Sequence, residues 1–148
     1  MYGVVALKPL HFGEDREYTR LEISRELSFD SFSEAEKAIN RIFYFSDNQN
    51  PIMSDGSMVY WNIHSHYRRG KVYLKYPFMI HQSKLSRFNH SQDEIDKSAG
   101  VLCCDLTLYR RYWQKTLGVN DWRQLTPAAI NAEWHKYFNP LIGAISHG

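Results

Sequence analysis

Residues 58–80 (MVYWNIHSHYRRGKVYLKYPFMI) hold two runs of alternating side chains on either side of Arg-Arg-Gly-Lys. Alternation with a period of two sends successive side chains to opposite faces, which is the pattern of half-buried strands. Gly70 can take a positive φ, so a turn at 68–71 would join strands over 58–67 and 71–80 as an antiparallel hairpin. Opposed residue numbers then add to 139. Trp61, Ile63, Ser65 and Tyr67 face the core opposite Phe78, Tyr76, Leu74 and Val72. The other face shows Tyr60, Asn62, His64 and His66 opposite Met79, Pro77, Lys75 and Tyr73. Pro77 cannot donate to a ladder, so the second strand lies at an edge or ends there. A lone hairpin is marginal in water, so this one needs further strands and a covering helix.

The rest of the chain supplies both. Residues 2–8 are a short apolar, partly β-branched run closed by Pro9, a first strand, and the polar residues 11–17 form a turn. Over 19–29, Leu21, Ile23, Leu27 and Phe29 face one way and Arg20, Glu22 and Ser24 the other, a second strand whose alternation Arg25 interrupts. Ser33 with Glu36 reads as a capping box, followed by a stripe of Ala35, Ala38, Ile39, Ile42 and Phe43, which predicts a helix over 34–45. Residues 46–57 read as a loop. Ser91 with Glu94 makes a second capping box, and Leu102, Leu106, Tyr109, Trp113 and Leu117 lie at helical spacing up to Gly118. Thr126-Pro127 starts a last helix, lined by Ile130, Trp134, Tyr137 and Phe138, that Asn139-Pro140 is expected to stop. The expected fold is α+β: an antiparallel sheet of about four strands (β-β-α-β-β), a helix across one face and a helical C-terminal third. It forms a single domain over 1–148, with sheet and helix in 1–90 and a helical extension in 91–148.

Hydrophobic residues at 43% and charged ones at 23% exclude a disordered chain. No apolar run approaches the roughly 18 residues of a membrane span. The start, MYGVVALKPL, lacks the basic region and cleavage site of a signal peptide. The two cysteines are the neighbours Cys103 and Cys104, which bridge each other badly, so no disulfide scaffold is expected and a cytoplasmic setting is. At least one belongs in the core, and His135 is expected on a helix surface. The charge of +2 is uneven: residues 1–55 carry six Lys/Arg and ten Asp/Glu (−4), whereas 56–148 carry twelve and six (+6). From Gly56 to Gln92 there are six cations, four histidines and no acid. Such asymmetry suits a polyanionic partner, and it suits pairing of the two halves as well.

Two motifs carry resemblances. His64-Ser65-His66, with Tyr112-Trp113-Gln114-Lys115 downstream, resembles the histidine–hydrophobic–histidine motif and Tyr-x-x-Lys of rolling-circle replication initiators, relaxases and related transposases. The resemblance implies a sheet strand whose histidines hold a metal, with Tyr112 attacking a DNA phosphate beside Lys115. Ser65 departs from it, being polar where the family has an apolar residue. Arg69-Gly70-Lys71-Val72-Tyr73-Leu74-Lys75-Tyr76 is similar to the longer signature strand of RNA-recognition motifs, with Lys71 in place of a stacking ring. A sheet face bearing rings flanked by cations can stack bases while holding their phosphates.

A second basic, aromatic cluster, residues 109–115, points the same way. The expectation is a non-catalytic nucleic-acid-binding protein without a cofactor. Phosphate contacts come from Arg68, Arg69, Lys71, Lys75, Arg111 and Lys115, stacking from Tyr60, Tyr73 or Tyr112, and further charge from His64 and His66. The alternatives are a protein-interaction module meeting an acidic protein surface, built on the same residue types, and the metal-dependent nicking enzyme above.

Overall fold

The computed structural model describes residues 6–9, 20–46, 49–85 and 89–146. The described residues form an α+β fold around one antiparallel sheet in the order β1-β2-β6-β5-β4-β3. The strands are β1 Ala6–Pro9, β2 Arg20–Ser28, β3 Ile52–Ser54, β4 Met58–Trp61, β5 Arg68–Leu74 and β6 Val101–Tyr109. The helices are α1 Phe32–Phe45, α2 Lys75–Lys84, α3 Gln92–Lys97, α4 Arg110–Lys115 and α5 Pro127–Ser146. Among the described residues no helix is long and apolar enough to cross a membrane. Of the first expected strand, 2–5 lie outside the described residues, as does the turn at 11–17.

One sheet face carries Leu21, Ile23, Leu27, Val59, Trp61, Val72, Leu74, Leu102, Cys104, Leu106 and Leu108, all buried. The core closes against it with Ala35, Ala38, Ile39 and Ile42 of α1 and Ile130, Trp134, Phe138 and Leu141 of α5. Trp134 also donates its indole N–H to the Cys104 carbonyl at 3.0 Å, tying α5 to the central strand. The helix across one face is thus found, and α5 joins it.

The residues explain the departures from expectation. Arg25 does not break the alternation of β2; it sits on the buried face, 9% exposed. Its guanidinium lies 5.0 Å from the Trp134 ring centroid and donates to Asn131 and, at 2.9 Å, to Nε2 of His135. His135 then gives its Nδ1 proton to Asn139 at 3.0 Å, so it is a fixed, half-buried partner and not a plain helix-surface residue. Helix α1 begins two residues before the expected box, because Ser31 and not Ser33 accepts the Glu34 N–H (3.1 Å). Within the expected loop at 46–57, β3 pairs with β4.

The hairpin closes elsewhere. Tyr60 pairs with Lys71 and Trp61 with Gly70, so opposed numbers add to 131, and residues 62–67, not 68–71, form the connection. Asn62 takes φ 57° and its carbonyl accepts the Ser65 N–H, which ends β4 at Trp61. Gly70 serves a different purpose: a Cβ there would run into the Tyr137 ring of α5. The expected second strand stops at Leu74 and becomes α2. Pro77 falls in the first turn of that helix, where its missing N–H has no intrahelical partner to lose.

The largest departure is β6. Leu102 and Leu106 match helical spacing, but Leu102, Cys104, Leu106 and Leu108 match a strand, and the chain forms the central strand with both faces largely covered. The expected 91–118 helix is therefore α3, β6 and α4, and the C-terminal third supplies the middle of the sheet. Finally, Pro140 does not stop α5, which runs on to Ser146. Leu141 beyond it is buried, and Arg41 of α1 donates to the Ile145 carbonyl at 3.1 Å.

Candidate nucleic-acid interface

The second face of the sheet follows from the same register. Across β2, β6, β5 and β4 its side chains stand in rows. Arg20 is beside Tyr109, Glu22 beside Thr107 and Arg69, Ser24 beside Asp105, Lys71 and Tyr60, and Glu26 beside Cys103, Tyr73 and Met58. Carboxylates thus fall on β2 and β6, and cations on β5 and, with Arg20, at the end of β2. Helices α2 and α3 lean over the Glu26 end and border a half-open cavity of about 620 Å³, whose wall includes Tyr73, Lys75, His90, Lys97 and Asp105. The opposite end is roofed by no helix among the described residues. It forms a smaller hollow of about 150 Å³ lined by β2, β4, β5, β6 and Ile63.

The cations are held by rings and acids. The Arg69 guanidinium lies 5.1 Å from the Tyr109 ring centroid and its Nε donates to the Ser65 carbonyl at 2.7 Å. Lys71 Nζ lies 5.1 Å from the Tyr73 centroid and 3.7 Å from Oδ2 of Asp105. Lys75 pairs with Glu26 at 2.5 Å, where α2 begins. Burial and the neighbouring Asp105 carboxylate push the Tyr73 phenol far above its ordinary range, so it stays a neutral donor. Burial likewise raises the Cys103 thiol to about 11 and takes Cys104 well up, which leaves neither a thiolate at neutral pH.

The sequence-predicted residues divide. Tyr60, Arg69, Lys71 and Tyr73 share this face, with Tyr73 and Lys75 at its covered end. Arg68 points to the other side, between the rings of Tyr112 (5.3 Å) and Tyr137 (5.1 Å). His64 and His66 are exposed but lie in the 62–67 connection and not on a strand, because β4 has already ended; the His66 ring is 6.1 Å from that of Tyr109. Tyr112 is not offered for attack or stacking. It is 2% exposed and its hydroxyl donates to Glu133 at 2.5 Å, and burial with that bond raises it to about 12. Arg111 and Lys115 are exposed on α4, which continues directly from Tyr109. Among the described residues no three His, Cys, Asp or Glu side chains are grouped to share a metal ion.

Arg20, Glu22, Asp105, Thr107 and Tyr109 were missed as members of this face. The period of two in Leu102, Cys104, Leu106 and Leu108 was the signal that could have found those on β6. No family model matches the chain, and neither a curated protein nor a solved structure matches it.

Proposed function

We propose that the chain binds nucleic acid through the open end of this sheet face, as a single strand whose bases stack while its phosphates follow β5. The observation that carries the reading is the set of cations and rings at that end: Arg69 on Tyr109, and Lys71 in one row with Tyr60 of the next strand. Such a surface offers both π-faces and positive charge, which is what single-stranded binding requires. Arg111 and Lys115 extend the charge past Tyr109, and His64 and His66 border it on the connecting loop. Lys75 contributes less, since Glu26 already holds it.

The test is fluorescence anisotropy with labelled single- and double-stranded oligonucleotides over a salt series. The expected result is micromolar or tighter binding to single strands that weakens steeply with salt. Replacing both Arg69 and Lys71 by Ala should lower the slope of log K against log salt by about 1.4, at about 0.7 per phosphate contact. No binding at low salt would refute the reading. It would leave a protein-interaction surface, which the exposed Tyr44 (75%) and Phe45 (60%) at the end of α1 also favour.

A further inference from the structure

At the open end of the sheet two cations stand together on β5, and carboxylates stand on the next two strands, β6 and β2. Arg69 and Lys71 lie on β5, Asp105 and Thr107 on β6, and Glu22 on β2, with Arg20 two residues before it at the end of that strand. Neighbouring strands are about 4.8 Å apart, so β5 and β2 are separated by roughly 10 Å. A nucleotide spans that distance from its phosphate to the far edge of its base. With phosphates drawn to β5, base edges are directed at the side chains of β6 and β2. The hollow of about 150 Å³ there, bordered by Tyr60, Tyr109, Glu22 and Asp105, has room for one base ring and not for a duplex.

Carboxylates only accept hydrogen bonds. Adenine, cytosine and guanine each carry an exocyclic amino group that donates, whereas thymine and uracil present carbonyl oxygens in the corresponding places. We propose that Glu22 and Asp105 select bases by their amino groups, so that this face binds cytosine-containing single strands in preference to thymine or uracil. The inference rests on the nucleic-acid reading above and adds the class of base to it. A face built from rings and cations alone has no such basis for discrimination, since every base has a π-face.

Cytosine and uracil are the informative pair, because they are of equal size and differ at the amino group. Labelled 12-mers of dC, dU and dT are titrated at one salt concentration, and then over a salt series. The expected result is dC binding about 5-fold or more tighter than dU and dT, as one base-edge contact gives, with the same salt slope for all three. Glu22→Gln, at a half-buried position, and Asp105→Asn supply carboxamides that can donate as well as accept, and either should bring the dC/dU ratio toward one. Because Asp105 is only 5% exposed and its variant can fail to fold, Glu22→Gln carries the test on its own. Equal binding of dC and dU, a preference for dT, or a ratio unchanged in Glu22→Gln would overturn the inference while leaving nucleic-acid binding in place. Binding of none of the three at low salt would overturn both.

Discussion

Replacing Tyr112 by Phe separates a structural tyrosine from a reactive one. The phenol is 2% exposed and donates at 2.5 Å to Glu133, itself 8% exposed on α5. Removing the hydroxyl leaves a carboxylate oxygen without its donor in a site that water reaches poorly. A hydrogen bond to a charged group contributes about 1.5–3 kcal/mol. In a domain of this size each kcal/mol moves the midpoint by about 2–4 °C, so the variant should melt about 3–12 °C lower. The difference should also depend on pH. A phenol near 10 when unfolded and raised to about 12 when folded keeps its proton in the native state over that interval. Its stabilisation is fully present below pH 10 and is lost as pH rises through 12. Two pH units correspond to about 2.7 kcal/mol at most. Urea unfolding of both proteins between pH 7 and 11.5 measures this. The gap should be widest at pH 7–9 and narrow above pH 10, with oligonucleotide binding at pH 7.5 unchanged. A loss below 0.5 kcal/mol, or a gap that does not narrow, would refute the assignment of Tyr112 to α5 packing.

Two further substitutions test the corrected geometry. Gly70→Ala places a Cβ on the Tyr137 ring and should cost about 1–3 kcal/mol by overpacking, measured by urea unfolding, whereas a loop glycine would tolerate it. Ser31→Ala should destabilise by about 1 kcal/mol and Ser33→Ala by far less, since Ser31 caps α1; the reverse order in thermal melts would restore the cap to Ser33.

What the sequence disclosed was local. The stripe of Ala35, Ala38, Ile39 and Ile42 needs only its own spacing to be read, and the structure buries all four. Parity in the hairpin was equally legible: Trp61, Val72 and Leu74 face the core, and Tyr60 and Tyr73 share the other side. What was illegible depended on distant partners. Gly70 looked like a turn residue because its real constraint, the Tyr137 ring, lies 67 positions away. Arg25 looked like an interruption because the α5 side chains that accept it cannot be placed from β2 alone. Residues 101–109 were ambiguous because Leu102 and Leu106 fit a helix as well as a strand, and Cys103 on the second face blurs the period of two in Leu102, Cys104, Leu106 and Leu108. Misplacing that strand hid the carboxylates opposite β5, and with them half of the candidate site.

The position of β6 also orders assembly. Strands β1–β2 form one block and β3–β4–β5 another, and the two are joined in the sheet only through a strand that comes after both. As the chain leaves a ribosome, each block holds an unpaired hydrogen-bonding edge, along β2 and along β5, until residue 109 is available. Insertion of β6 satisfies both edges in one step, a long-range pairing of the slow kind. A chain interrupted before Val101 keeps both edges open at once and so carries two templates for misassociation with its own copies.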